Sequence, residues 1–504
     1  MTDLVKIHLQ PLGQTIEVER GKELRTVLHA FGVEFPCGGQ GRCSGCRVKR
    51  IDGSLEVTRD QGEILTPEEI AAGWRLACRS VAESEVTLQI GQWETVILAD
   101  HSTFEFVPRP GLGIAVDLGT TTLVAQLLDL KSGRVLAVRT ALNPQTMYGG
   151  DVMSRIQLAV AGRQAARLAG EIRRGIGSLL SDLVASVTLE ERRPETVVIA
   201  GNTVMHHLFC GIDLGPLSRS PFETVHGGPQ KFSSGQLGWE LDGDPAVTFL
   251  PCLGSFVGSD ILCGVLATRM HQSDVPTVLV DLGTNGEIVV GNRERMICAS
   301  TAAGPAFEGG RISMGMRATT GAISEVAVGG DDRLRCRVLG DVAPRGICGS
   351  GLVDAVAAGL DLGLIQPSGR LTNSGRPLEI AQPVTLTQND IRELQLAKAA
   401  IAAGIRILRR RFGSEKCREA PIYLAGAFGN YINRASAWRI GLIDAPVEKI
   451  QPAGNTALLG AKMALYASDR DDDFRHIRSR VEHVSLARDP EFQDIFVNET
   501  SFPG

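Results

Sequence analysis

An apolar run at residues 114–116 leads into Asp117-Leu118-Gly119-Thr120-Thr121-Thr122, which sets a carboxylate, a glycine and three hydroxyls at the end of a buried strand. A carboxylate there can hold hydrated Mg²⁺, Gly119 lets the backbone turn tightly enough for N–H groups to face an anion, and Thr120, Thr121 and Thr122 add hydroxyl donors. Residues 123–128 resume an apolar strand, so the unit reads as a β-hairpin whose turn suits phosphate. The order recurs over residues 277–290, where Asp281-Leu282-Gly283-Thr284 and a turn at Asn285 again join two apolar strands. One Asp-x-Gly-Thr is an ordinary turn. Two copies in separate halves of the chain are what a nucleotide cleft between duplicated lobes requires.

Other residues suit the same cleft. Glu308, between glycines and a proline in Gly304-Pro305-Ala306-Phe307-Glu308-Gly309, is a candidate to orient an attacking water, with capping or ion pairing as the alternative. Gly349-Ser350-Gly351 enters a helix, a shape made for a phosphate or sugar edge or for close helix packing.

A second chemistry lies near the N-terminus, in the spacing C-x5-C-x2-C-x31-C formed by Cys37, Cys43, Cys46 and Cys78. Three thiolates in a glycine-rich loop with one distant partner suit a [2Fe–2S] cluster, because Gly38, Gly39, Gly41 and Gly45 allow the backbone to wrap the sulfides. A zinc site is the alternative, although zinc knuckles use two C-x2-C pairs and here the partner half is Cys78 alone. The other seven of the 11 cysteines stand singly in apolar surroundings and read as inert buried thiols. His206 and His207 are adjacent, so they cannot share one helix face as a metal pair would; one is expected packed and the other exposed.

A chain of 504 residues predicts three or four folding units. Hydrophobic content of 43% and charged content of 22% are those of a soluble globular protein, and a net charge of −5 gives no reason to expect nucleic acid. Residues 1–6 show no signal-peptide pattern and no apolar run has the length of a membrane span, which predicts a cytoplasmic protein without disulfides.

These groups need elements to position them. Strands at residues 5–9, 15–18, 47–51 and 86–90, with helices at 23–31 and near 66–70, make a β-grasp pattern over residues 1–98. Residues 99–111 read as a linker. The first lobe follows over 112–274, with a third strand at 134–140, a helical tract from 150 to about 189, a strand ending in Gly201-Asn202-Thr203, and a Gly/Pro/Ser-rich excursion at 211–243. The helix closing this lobe is expected from Phe256. The second lobe covers 275–468, with a helix over 389–412, a strand at 421–425 and a closing helix over 454–465. Residues 469–504 read as a surface helix or tail.

The duplicated hairpins resemble those of the superfamily of sugar kinases, heat-shock chaperone ATPases and actin. That resemblance implies an α+β multidomain chain: a β-grasp ferredoxin followed by a two-lobe, ribonuclease H-like ATPase. It also implies that Gly426, Gly429 and Asn430 hold the adenosine. The ferredoxin–ATPase fusion further resembles the reductive activators of corrinoid proteins. This implies that Cys37, Cys43, Cys46 and Cys78 ligate the [2Fe–2S] cluster and that the two hairpins bind ATP with Mg²⁺. It implies, too, an electron passed to the Co(II) corrinoid protein of a methyltransferase system to restore Co(I), an upstream electron donor, and a homodimer. One departure is expected: family members carry a linker and a middle domain between ferredoxin and ATPase, and here only about ten to fifteen residues remain for them. The other functional readings are a sugar-kinase-like phosphotransferase with a redox-sensing ferredoxin, and a scaffold whose lobes ATP locks.

Overall fold

Val5, Ile7 and Leu9 alternate with polar neighbours and so bury one face of the first strand, β1 (Leu4–Gln10). The computed structural model describes residues 3–10, 12–31, 33, 35, 39, 41, 46–90, 104–188, 193–373, 375–413, 417, 420–429, 431–466 and 471–504. Its contacts divide the chain into two units, Met1–Thr95 with Pro144–Arg163, and Val96–Asn143 with Gln164–Gly504. Residues 99–103 of the expected linker, and Cys37, Cys43 and Asn430, lie outside the described residues.

In the first unit β1 pairs with β2 (Gln14–Glu19), then come α1 (Leu24–Leu28), β3 (Arg47–Gly53), α2 (Pro67–Ala71), β4 (Trp74–Leu76) and β5 (Val86–Gln89). The sheet order is β2-β1-β5-β3-β4, with β1 and β5 parallel at its centre, which is the β-grasp arrangement. The helix expected over 23–31 ends at Leu28 and tightens into a 3₁₀ turn at His29–Phe31. Helix α2 opens on a capping box, in which the Glu69 N–H donates to Thr66 Oγ1 at 3.2 Å and the Thr66 N–H to Glu69 Oε2 at 3.0 Å. The remaining piece of this unit carries α3 (Val152–Val160), capped by Asp151.

The single helical tract expected from 150 to 189 is therefore two helices, α3 and α4 (Ala165–Ala185). They part at Arg163, whose φ of 51° no helix interior accepts, and they belong to different units.

The second unit holds two lobes of one design. Lobe one has β6 (Leu112–Leu118), β7 (Thr122–Asp129) and β8 (Val135–Leu142) as an antiparallel meander. Beside β6 run β9 (Pro194–Gly201), then β11 (Ala246–Phe249), both parallel to it, and β10 (Gln230–Ser233) closes the edge. Lobe two repeats the meander with β12 (Thr277–Leu282), β13 (Gly286–Gly291) and β14 (Met296–Thr301), and adds β15 (Ile422–Ala425) and β16 (Ile450–Gly454), parallel to β12, on the other side. In both, the central strand ends in the Asp-Leu-Gly-Thr turn.

Two helices lock the lobes together. The helix closing lobe one, α6 (Ser259–Ala267), packs against α9 (Thr456–Leu465); between them in the chain come α7 (Gly349–Asp361) and α8 (Gln388–Phe412), while α5 (Thr203–Cys210) follows β9. Helix α6 starts three residues later than expected, since Gly258 approaches lobe one so closely that a Cβ there would lie 2.3 Å from the Gly201 oxygen. A Cβ at Gly264 of α6 would lie 2.7 Å from Leu279 of lobe two, and one at Gly113 of lobe one 3.0 Å from Leu465 of α9. Each helix thus reaches the other lobe's central strand, and Leu262, Leu266, Leu279, Leu458 and Leu465 share one core.

The charged tail carries a surface helix at Phe492–Glu499, as expected, but is also built into lobe two. Strand β17 (Val481–His483) adds to β14, Phe502 is buried, and the ammonium of buried Lys398 donates to the carbonyls of Glu499 and Ser501 at 2.6 and 2.8 Å. Among the described residues no helix is long and apolar enough to cross a membrane.

At the α6–α9 crossing a Cβ on Gly460 would lie 2.3 Å from Cys263 Cβ and 2.5 Å from its Cα. Gly460→Ala is expected to destabilise the protein by about 1–3 kcal/mol, read as a lower urea midpoint. An unchanged midpoint would show that the crossing yields freely.

Candidate functional site

In the first hairpin the Gly119 N–H donates to the Thr122 oxygen at 3.0 Å, so it closes the turn instead of facing an anion. The glycine is needed for space, because a Cβ there would lie 2.6 Å from that same oxygen. Thr122 starts β7, opposite Leu142 of β8. The turn is braced from outside: Asn202 Nδ2 donates to Thr120 Oγ1 at 2.9 Å while its Oδ1 caps α5, and buried Asn143 donates from its backbone to Thr121 O and from Nδ2 to Gly119 O, both at 2.8 Å. The second hairpin closes in the same way, with the Gly283 N–H on the Asn285 oxygen at 3.1 Å.

Glu308 joins the two. Its Oε1 accepts from Thr284 Oγ1 at 2.9 Å and its Oε2 from Thr121 Oγ1 at 3.4 Å, so one carboxylate spans both turns. The 3₁₀ turn Pro305–Glu308 that carries it is held on two sides. A Cβ at Gly349 would lie 1.8 Å from the Phe307 oxygen, and the Phe307 ring stacks on Phe428 at 4.8 Å. Gly349 and Gly351 accordingly bring α7 into close contact, and the Ser350 hydroxyl donates to the Ser324 carbonyl at 2.8 Å. Gly426, at φ +84°, stands where a Cβ would lie 2.5 Å from Asp281 Oδ1, and Gly429 backs onto Leu424.

The structure thus brings Asp117, Thr120, Thr121, Asp281, Thr284, Glu308 and Gly426 to one place, and it leaves Ser350 engaged with its own lobe. It adds residues the sequence reading passed over. Asn455, which caps α9, donates from Nδ2 to Asp117 Oδ2 at 2.8 Å and ties lobe two to the first aspartate. Glu287 lies directly across the strand pair from Asp281 and accepts from Ser300 Oγ at 3.4 Å, while Asp260 comes from the first turn of α6. Hairpin register alone would have found Glu287, and the Asn-Thr start of α9 was a cap signal; nothing local marks Asp260.

Loss of water pushes these carboxyls up. Asp117 rises to about 6, with Asn455 pulling the other way; Asp281 rises to about 7 by burial and then by the charge of Asp117. Asp260 rises to about 8 through burial and then the nearby Asp281, and Glu287 stands well above the carboxylate range for burial and its neighbours Asp260 and Asp281. As residues the three aspartates are half-buried, with their carboxyls turned away from water. Among the described residues no three His, Cys, Asp or Glu side chains converge as a closed metal cage. The arrangement fits a hydrated Mg²⁺ brought in by a nucleotide, which needs only one or two carboxylates from the protein.

In the first unit, Cys46 immediately precedes β3 and Cys78 lies just beyond β4. The pairing of Arg47 with Leu76 and the bond from Ala77 N–H to Cys46 O, 3.0 Å, set both thiols at one end of the sheet. Gly39 and Gly41 have left-handed backbones, and a Cβ on either would strike the Arg25 or Arg79 side chain. These features fit the four-thiolate donor set of a [2Fe–2S] cluster. Of the seven other thiols, those of Cys252, Cys263, Cys298, Cys348 and Cys417 are buried, whereas Cys210 and Cys336 are half-buried. His206 and His207 are both buried, against the expectation that one would be exposed: His206 bonds to Gly228 O at 3.1 Å, and His207 to Thr203 O at 2.8 Å and Thr224 Oγ1 at 2.9 Å. Thr224 and Gly228, both inside the 211–243 excursion, reach the two rings.

Comparison with known proteins agrees with this geometry. A 2Fe-2S iron-sulfur cluster binding domain matches residues 7–83, the RACo middle region residues 112–273, and the C-terminal domain of RACo, the ASKHA domain, residues 275–504. The chain is 33% identical over 443 residues to the corrinoid activation enzyme RamQ of Eubacterium limosum, covering 81% of this chain and 74% of that one. It is 28% identical over 423 residues to a [Co(II) methylated amine-specific corrinoid protein] reductase of Methanosarcina barkeri, covering 77% of each. The solved structure of a reductive activator for corrinoid, iron-sulfur protein superposes with a TM-score of 0.70 at 28% identity, over 99% of this chain and 98% of that one. The expected loss of a middle domain is corrected by these matches: residues 112–273, read as the first ATPase lobe, are the family's middle region.

The raised carboxyls carry a stability consequence. Between about pH 4 and 8 the nucleotide-free folded state holds protons that the unfolded chain has released, so stability is greatest at the acid end and falls as pH rises through about 6, 7 and 8. Thermal unfolding should show Tm falling across that window, Mg-nucleotide restoring it at pH 8, and Asp260→Asn raising the nucleotide-free Tm at pH 8. A flat profile in the unmodified protein would refute the charge cluster.

Proposed function

This chain belongs to the RACo family of ATP-dependent activators that reduce corrinoid proteins, and from that premise we propose how its own residues divide the work. Glu308 carries the reading, because a single carboxylate accepts hydroxyls from both hairpins. Thr121 and Thr284 turn to the phosphates when ATP enters, which frees Glu308 to orient the attacking water. Asp117 and Asp281 hold the Mg²⁺ that accompanies the nucleotide; Asn455 fixes the first of them and Gly426 leaves room beside the second. Gly426, Gly429 and Asn430 border the adenosine.

A bound [2Fe–2S] cluster supplies one-electron transfer at low potential, near −400 mV for plant-type clusters. Cys37, Cys43, Cys46 and Cys78 hold it, with Arg25 and Arg79 placing positive charge against the loop glycines. The acceptor is the Co(II) corrinoid protein of a methyltransferase system, whose cobalt is returned to Co(I). A methylated-amine-specific corrinoid protein is the first to try, since the Methanosarcina relative reduces one.

ATP serves to select the acceptor's reducible form. Differential binding of about 5.5 kcal/mol moves a 1:99 population to 99:1. At ~59 mV per tenfold for one electron, those four decades correspond to roughly 240 mV. Closing the lobes around ATP favours that form, and hydrolysis reopens them. A phosphotransferase acting on a small hydroxylated substrate would need no such acceptor.

Reduced protein mixed with a Co(II) corrinoid protein should generate the Co(I) spectrum only with Mg-ATP. Asp281→Asn should abolish this while leaving the cluster reducible; equal rates without ATP would defeat the reading. Glu308→Gln should lower ATP turnover by about 10²–10⁴ with nucleotide affinity largely kept. Unchanged turnover would remove Glu308 from the water-orienting role.

A further inference from the structure

We propose that Asn202 is a positioning residue for nucleotide: it sets the Thr120 hydroxyl so that Thr120 donates to a phosphate of ATP. The proposal rests on the reading above, which places phosphate at the first hairpin without assigning Thr120 a part. The observation is one side chain with two duties. Asn202 Oδ1 accepts from the Met205 N–H at 3.0 Å and caps α5, while Nδ2 donates to Thr120 Oγ1 at 2.9 Å. The cap settles which way the amide faces, because a backbone N–H only donates and must meet the oxygen, leaving the nitrogen for Thr120. An amide nitrogen also only donates. Thr120 Oγ1 is therefore the acceptor in this bond, and the hydroxyl hydrogen is directed away from Asn202.

The support is firm on each side. Asn202 is buried and follows directly on β9, whose last residue, Gly201, stands opposite Leu118 of the first hairpin. The start of α6 presses on the same spot: a Cβ at Gly258 would lie 2.4 Å from Asn202 Cα, and Ser259 Oγ accepts from the Gly201 N–H at 3.0 Å and donates to its carbonyl at 3.1 Å. Thr120, by contrast, is half-buried. The same device recurs at Asn455, whose Oδ1 caps α9 by accepting from the Leu458 N–H at 2.9 Å while Nδ2 donates to Asp117 Oδ2 at 2.8 Å. Two helix caps, one from each lobe, thus fix two polar groups of one turn, three residues apart.

Substitution separates a cap from a positioning group. Asn202→Ser still caps a helix but is too short to reach Thr120, and Asn202→Asp caps while offering an acceptor where the donor stood. The test measures dissociation constants of the full chain for Mg²⁺ with a non-hydrolysable ATP analogue, and for adenosine. Each Asn202 variant should bind the analogue about tenfold more weakly, as for a misdirected hydrogen bond to a charged group, with adenosine affinity within about twofold of the parent. Thr120→Val should show the same loss and Thr120→Ser should recover the parental value. Asn202→Ser placed in the Thr120→Val background should add less than about twofold, since both changes remove one interaction. Parental affinity for the analogue in Thr120→Val overturns the proposal by itself, whether or not the Asn202 variants fold. Equal weakening of adenosine and analogue in the Asn202 variants, or losses that add in the double variant, overturns it as well, because either marks a structural role. Failure of the unmodified protein to bind the Mg²⁺ analogue complex would instead defeat the proposed function, so the two readings fail separately.

Discussion

Like-charged carboxylates facing one another with little water between them are unfavourable, and the second unit is arranged to keep them there. Asp117 and Asp281 end the central strands of two sheets of the same design, and Asp260 and Glu287 crowd the same space. Lobe two alone sets Glu287 opposite Asp281, but neither lobe alone would gather all four groups. They meet because α6 and α9 each pack onto the opposite lobe's central strand, through glycines that allow the approach. The free energy of lobe packing holds these carboxyls together, and the protons they keep toward neutral pH relieve part of the repulsion.

The Glu308 bridge has the same logic at shorter range. A carboxylate accepting threonine hydroxyls from both hairpins ties the two turns to each other through one side chain. The glycines at 349 and 426 act on that turn and on Asp281 from two sides. Their positions are explained by the contacts they allow more than by any phosphate contact of their own. In the ferredoxin unit the corresponding constraint is strand register, which sets Cys46 and Cys78 at one end of a sheet although 31 residues separate them in the chain.

Much of this was legible in the chain because it is local. A strand, an aspartate, a glycine and a threonine in sequence make a hairpin turn wherever they fold, and finding them twice implies two lobes and a cleft. The cysteine spacing likewise carries its own chemistry, since a cluster loop must be glycine-rich and contiguous. Where the reading missed, the missing information was not local. Helix periodicity ran unbroken through residues 150–189 and hid the break at Arg163; the charged composition of residues 469–504 hid a strand that completes a sheet. Two adjacent histidines were expected to divide between core and solvent, yet a helix wedged between a sheet and an excursion buries both faces.

The sequence by itself determined the parts: an iron–sulfur domain, two Asp-Leu-Gly-Thr hairpins, and the α+β architecture that such hairpins demand. Only the tertiary structure decided which distant side chains complete them. Asn455 reaches Asp117 across 338 positions, Glu308 reaches Thr121 across 187, and Thr146 meets His29 across 117. The physical reason is that a hydrogen bond between remote residues leaves no periodicity in the chain; its geometry exists only once the cores beneath it have packed.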